Sequence, residues 1–299
     1  MPINQKTASD EILGPTPGQV LLRRIFGHTG LMIGSFILGA IILVAILAAS
    51  ISPYDPYYQD LHARLTPPVW SEKGSWNHPL GTDELGRDYL SRLLYGTRIS
   101  LLIGISTALL SGFIGTALGV AGGYFGGRID LVVTFLISLR LSMPVVLVAL
   151  AVVALVGGSL EAVILVLGFL LWNRFAVVMR SSTMQIRTLD YVTAAEAVGC
   201  STLRILFSEI MPNMVNNLIV VATLEMANAI LLEAALSFLG LGVQPPLPSW
   251  GLMISEGKDF IFFEPWLITI PGVSLLILVL AINLMGDGVR DVAAPENRS

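Results

Sequence analysis

The sequence predicts an all-α integral membrane protein with six spanning helices. Three observations lead there. Of its 299 residues 54% are hydrophobic and only 13% charged, with a mean hydropathy of +0.77, whereas a soluble globular chain carries roughly 25% charged residues. The apolar residues gather into runs long enough to cross a bilayer, which takes about 20 residues of helix. The charged residues collect mostly between those runs, as they must where a charge at the bilayer centre costs at least ~2.5–3.5 kcal/mol.

The same composition excludes other classes. The net charge of −4 and the absence of a basic tract give nucleic acid no electrostatic handle. A single cysteine, Cys200, rules out an internal disulfide; beside Gly199 it reads as a small packing residue. With three scattered histidines (His28, His62, His78) it forms no zinc-type cluster. There is no G-x-x-x-x-G-K-[ST] loop, so nucleotide chemistry must belong to a partner.

Residues 1–28 form a polar N-terminal tail, flexible over 1–22 and ending in Arg23 and Arg24. The uncharged run over 29–52 is the first span, too long for a signal-peptide core of about 7–15 residues. Residues 53–98 form a long polar segment. In its second half Leu85, Tyr89, Leu90, Leu93 and Leu94 recur at helical spacing behind a Thr82 cap, predicting an amphipathic helix ahead of the next span. The core proper occupies 99–285. Its first helix, 99–124, repeats Thr107, Ser111, Gly115, Gly119 and Gly123 every fourth residue, a smooth stripe for close helix packing. A turn at Gly126 to Asp130 leads to a span over 131–156, kinked at Pro144. Another span covers 162–179, with Arg174 and Arg180 snorkelling from its inner end.

A polar loop follows over 181–212. Its Tyr191 to Val198 stretch is a short helix stopped by Gly199; a second short helix runs toward Pro212, which opens the next span. That span, 213–238, carries Glu225 and Glu233. A Gly/Pro-rich segment and a short surface helix over 253–263 precede the last span, 265–285, and residues 286–299 form a C-terminal tail. Six spans place both termini and the 181–212 loop on one side, and the Lys/Arg distribution outside the spans favours that side as the inner one.

Four stretches carry a resemblance to a known family. The loop resembles the cytoplasmic EAA loop of permease subunits in ATP-binding-cassette importers: Ala194, Ala195, Gly199 and Pro212 stand on its Ala-Ala, Gly and Pro positions. Thr193 replaces its Glu, Glu209 its Ile and Met211 its Leu. The block HPLGTDELGRD from His78 to Asp88 is similar, almost letter for letter, to the signature of permeases for dipeptides, oligopeptides and nickel, and SFLGLGVQPPLPSWG and GDGVRD match the same family. The resemblance implies a type I importer permease fold in a bacterial cytoplasmic (inner) membrane. It implies pairing with a homologous permease, two cytoplasmic ATPase subunits that bind ATP and Mg, and an extracytoplasmic substrate-binding protein. This chain itself would bind no cofactor and catalyse no reaction. The residues it implies for ATPase coupling are Tyr191, Ala194, Ala195, Glu196, Gly199, Arg204 and Pro212.

Two rivals come from other classes. An ion-gradient-driven secondary transporter would show a paired repeat with broken midplane helices, and a membrane-embedded enzyme would show convergent catalytic groups; neither pattern is found in the sequence. Arg140 and Glu225 remain, each near the middle of an apolar span. Either they pair structurally, or Glu225 lines the translocation path with Asn217 and Asn228, which share its broad helix face. The structural pair is the favoured expectation. Whether the substrate is a peptide, a nickel chelate, glutathione or an opine-like compound is not written in these residues.

Overall fold

A computed structural model describes residues 17–293. Among them the chain is helical without a named strand; one isolated bridge joins Thr82 to Asp88. The helices are α1 (Pro17–Gly27), α2 (Thr29–Ile51), α3 (Tyr89–Phe125), α4 (Gly127–Leu141), α5 (Val145–Val156), α6 (Leu160–Leu170) and α7 (Trp172–Ile186). After them come α8 (Asp190–Ala197), α9 (Met211–Phe238), α10 (Trp250–Gly257) and α11 (Trp266–Ala293). Residues 1–16, expected as flexible tail, lie outside the described residues; 17–27, expected to continue it, are helical instead.

Five of these segments are long and apolar enough to cross a membrane alone. The sixth crossing is the pair α4 and α5, bent by 85° at Ser142–Pro144. The pair is one crossing, not a re-entrant loop, because its ends lie at opposite ends of the bundle. Gly126 adjoins Arg187 beside the loop that carries α8. Gly158 instead accepts a 3.1 Å bond from Gln244 N, beyond the far end of α9. Pro144 thus does more than kink a span. It has no N–H to continue the helix and forces its predecessor out of the α region. Below, the bundle end carrying α8 is the foot and the other end the head.

The centre of the bundle is α3 against α7, with α9 alongside; α2 and α11 flank one side, α4 to α6 the other. The small-residue stripe of α3 does what its spacing predicts. A Cβ on Gly119 would stand 2.6 Å from Ala176 O and 2.9 Å from Arg180 N; one on Gly123 would stand 2.7 Å from Arg180 O. Bare backbone is what allows α7 to approach so closely.

At the head, α3 starts later than its apolar spacing suggests. The N-cap is Asp88, whose Oδ2 accepts from Ser91 N at 2.8 Å, not Thr82. Thr82 Oγ1 instead accepts from Thr66 N at 2.9 Å and donates to Ala63 O. Residues 79–87 cannot be helix because Gly81 and Gly86 turn through φ 79° and 72°, conformations that favour glycine. The helix expected ahead of the second span is present as the first turns of α3 itself, continuous with the span.

The last expected surface helix also moves. It runs over α10 with a 3₁₀ turn at Lys258–Phe260, capped by Ser249, and buries Trp250, Leu252 and Met253. Trp250 Nε1 donates to Leu93 O at 3.0 Å, so α10 is part of the core at the head.

Candidate functional site: the loop between α7 and α9

The foot is built from the end of α7, α8 and the start of α9. Leu189 ends one turn and Asp190 opens α8 with an acidic first residue, favourable at a helix N-terminus. The helix then stops in a Schellman geometry. Cys200 N bonds to Ala195 O at 3.0 Å and Gly199 N to Glu196 O at 2.9 Å, with Gly199 at φ 83°. The left-handed glycine expected from the sequence is therefore present. Its missing Cβ would meet nothing within 4 Å, so the requirement is conformational and not steric.

One face of α8 is anchored. Val192 is fully buried among Val120, Met179, Ile205, Ile210 and Met214, with Ala195 and Cys200 packed against the same cluster. Small residues suit these places because the helix lies close on its support. Glu196 reaches α3, its Oε1 accepting from Tyr124 OH at 3.2 Å, while Arg187 donates to the Tyr124 carbonyl. The opposite face is open: Tyr191, Thr193, Ala194 and Val198 are exposed, as are Leu203, Arg204 and Phe207 in the next turns. Thr193, where the motif has Glu, folds back to bond Asp190 O at 2.9 Å.

The segment leading into α9 winds as α-helix over Thr202–Arg204 and then as a π turn over Ile205–Ile210, with Met211 N bonded to Leu206 O. Pro212 sits in the first turn of α9, where it has no N–H to donate. A widened turn ahead of it absorbs that missing donor, and the helix runs unbroken from Thr202 to Phe238.

The residues predicted for coupling are thus brought together, in three structural roles. Ala195, Gly199 and Pro212 shape the site; Tyr191, Ala194 and Arg204 face outward; Glu196 tethers α8 to α3.

The midplane residues are arranged differently from the favoured expectation. Glu225 is almost fully buried, but its partner is Arg174 of α7, whose Nη1 lies 3.1 Å from Glu225 Oε1. Asn228 Nδ2 donates to Glu225 Oε2 at 3.2 Å. Arg140 does not pair with Glu225. Its Nε donates to Leu170 O at 2.6 Å, and its Nη1 reaches Met143 O. The reason is the helix breaks: α6 ends at Leu170 and α4 at Leu141, and the freed carbonyls attract a cation. Asn217 stands apart, bonding Ser182 Oγ at 2.9 Å. Arg174, expected to snorkel, instead meets the buried Glu225, while Arg180 forms a bidentate pair with Asp130 in the first turn of α4.

The block from His78 to Asp88 is architecture. Asp83 accepts from Leu85 N, Arg87 N and Arg87 Nε at 2.8, 3.0 and 2.6 Å, and from Arg92 Nη1. Arg87 and Arg92 in turn reach Glu256 of α10 at 3.2 and 2.7 Å. His78 Nδ1 meets Asp88 Oδ1 at 2.8 Å.

Comparison with known proteins agrees with this architecture. Residues 97–299 match the model of the binding-protein-dependent transport system inner membrane component, and residues 16–68 match the N-terminal TM domain of oligopeptide transport permease C. The chain is 42% identical over 269 residues to a dipeptide transport system permease protein of Haemophilus influenzae, covering 90% of this chain and 91% of the relative. It is 39% identical to a di/tripeptide transport system permease protein of Pseudomonas aeruginosa, covering 98% and 97%. Its fold superposes on a chain of the methionine ABC transporter MetNI, solved in inward-facing conformations. The TM-score is 0.55 at 21% identity, over 67% of this chain and 96% of that one. The chain belongs to the binding-protein-dependent transport system inner membrane component family, the multi-pass permeases of ATP-binding-cassette importers, which work with separate ATPase and substrate-binding partners.

Proposed function

We propose that this permease moves dipeptides or short oligopeptides across the cytoplasmic membrane, as one half of a heterodimer with a homologous permease. Two ATPase subunits, carrying ATP and Mg, dock on the foot, and a binding protein delivers substrate at the head. Both termini and α8 then lie in the cytoplasm. The observation that carries this reading is α8. A short helix is anchored through Val192 and Glu196 on one side and presents Tyr191, Ala194 and Val198 on the other. Such a peg, joined to α7 on one side and to the unbroken α9 on the other, passes motion of a docked partner directly into two spans. Closure of the ATPases on ATP would push α8, and the packed helices would tilt as rigid bodies between two facing states. The names of the relatives supply the substrate class.

Co-purification and cross-linking test the reading. With cysteine at position 191, a short bifunctional thiol reagent is expected to link this chain to an ATPase subunit bearing a surface cysteine, with the yield changing on ATP addition. Purification of a transport-competent protein free of ATPase subunits would overturn it.

A further inference from the structure

Arg174 stands midway between Leu160 and Arg187, the ends of the span formed by α6 and α7, and Glu225 stands midway between Met211 and Phe238. At 1.5 Å per residue each lies roughly 20 Å from either end of its span, at the depth where a charge is most expensive. The two are not equally covered. The Glu225 side chain is 2% exposed, while the Arg174 side chain is 60% exposed. One Arg174 nitrogen lies 3.1 Å from the buried carboxylate, and more than half of the side chain is open.

Lipid cannot cover that face at such depth without a large penalty. A dry protein interface would have to absorb a net charge as well, because Arg140 lies within electrostatic reach of the same carboxylate. Two guanidinium groups therefore stand against one carboxylate. A wetted surface suits both facts. The arrangement also resembles a recognition site more than a structural pair. Glu225, itself held by Asn228, lies in ion-pair contact with one nitrogen of a largely exposed arginine, whose guanidinium carries further donors in a fork that matches carboxylate geometry. The position is mechanically apt, since α7 and α9, which carry Arg174 and Glu225, are the two spans that flank α8.

We propose that Arg174, oriented by Glu225 and Asn228, is a transient binding site on the translocation path for the carboxylate end of the passing substrate. The proposal rests on the permease reading above and adds where, and by which group, this chain touches its cargo. It assigns Arg174 to specificity, and Glu225 and Asn228 to positioning.

Two measurements on the complete importer in proteoliposomes test it. The first is independent of transport. Val177 lies one turn along α7 from Arg174 and is also exposed. In a Cys200→Ala background, Val177→Cys is expected to react several-fold faster with a sulfonate methanethiosulfonate reagent than with its trimethylammonium analogue. Arg174→Gln should abolish that preference. The second is uptake. Arg174→Gln is expected to lower dipeptide uptake at least tenfold, with ATPase stimulation by the loaded binding protein within twofold of wild type. Arg174→Lys, which keeps the charge but not the fork, should retain an uptake between wild type and Arg174→Gln. No labelling at position 177, labelling without charge preference, or undiminished uptake in Arg174→Gln would overturn the proposal. So would equal loss of folded protein in Arg174→Gln and Arg174→Lys. A wild-type importer that takes up no dipeptide yet labels with the predicted preference would overturn the dipeptide reading and leave the anion site standing.

Discussion

The two ends of this bundle handle polar residues in opposite ways. At the head, Asp83, Arg87, Arg92 and Glu256 are largely withdrawn from solvent and bonded to one another, and they join the start of α3 to α10. At the foot, α8 holds on through one fully buried side chain, Val192, and one reach from Tyr124 to Glu196, with most of its surface open. Buried ion pairs contribute little net stability but are costly to break singly, so they fix a geometry. A helix docked through a few small contacts is available to a partner and free to be displaced. The family-specific signature at the head is therefore scaffold, while the looser motif at the foot leaves an open surface, as the proposed coupling role requires.

The sharpest way to break the contrast is to unpair the head. Arg92→Met leaves Asp83 and Glu256 with one cation between them in a buried site. Removing one member of such a cluster costs about 3–5 kcal/mol, so folded protein in the membrane should fall severely. Detergent-solubilised protein with an unchanged melting temperature would show that the head is not fixed this way.

At the foot the opposite signature is expected. Gly199→Val imposes a β-branched residue on φ 83° with no clash, a strain of roughly 1–3 kcal/mol confined to the end of α8. The variant should accumulate near wild-type levels while ATP hydrolysis loses its tie to uptake. Normal uptake in a well-expressed Gly199→Val protein would remove α8 from the coupling role. Gly199→Asn, which tolerates the left-handed conformation better, should lie between.

The smallest effect belongs to the rim of the head cluster. Burial, reinforced by Glu256 and Asp83, pushes the Glu84 carboxyl above its ordinary range. A raised carboxyl favours the neutral form in the folded state. Its contribution is therefore full at low pH and is lost as pH rises through the folded-state value. Glu84→Gln should raise the melting temperature slightly at pH 8 and leave it unchanged at pH 4. A drop at pH 8 would mean that Glu84 is a needed anion of the cluster.

The spans, the small-residue stripe and the glycine stop of α8 were legible in the sequence because each follows from local pattern: run length, a period of four, a helix terminator. The midplane charges were not. Ending the fourth span near Met179 puts Arg174 close to the surface, where snorkelling is the natural reading. The helix in fact continues to Ile186, which carries Arg174 to mid-depth and into reach of Glu225. Arg140 misled for a related reason. Its partner is a backbone carbonyl released by the break after Leu170, and backbone partners leave no trace in side-chain patterns. Thr82 looked like a cap because its neighbours repeat with helical spacing, but Gly81 and Gly86 hold that stretch in turns tied to Thr66 and Asp60. The earlier start of α10 was hidden because Trp250 reads as loop until α3 is present to receive it.

The continuity of the helix from Thr202 to Phe238 has a consequence for scale. Its 37 residues make a rod about 55 Å long at 1.5 Å per residue, and a rod turns small angles into large strokes. Each degree of tilt about its lower end sweeps the upper end by about 1 Å. A tilt of about ten degrees therefore carries the head end through about 10 Å, the scale on which a passage for a small solute would open or shut.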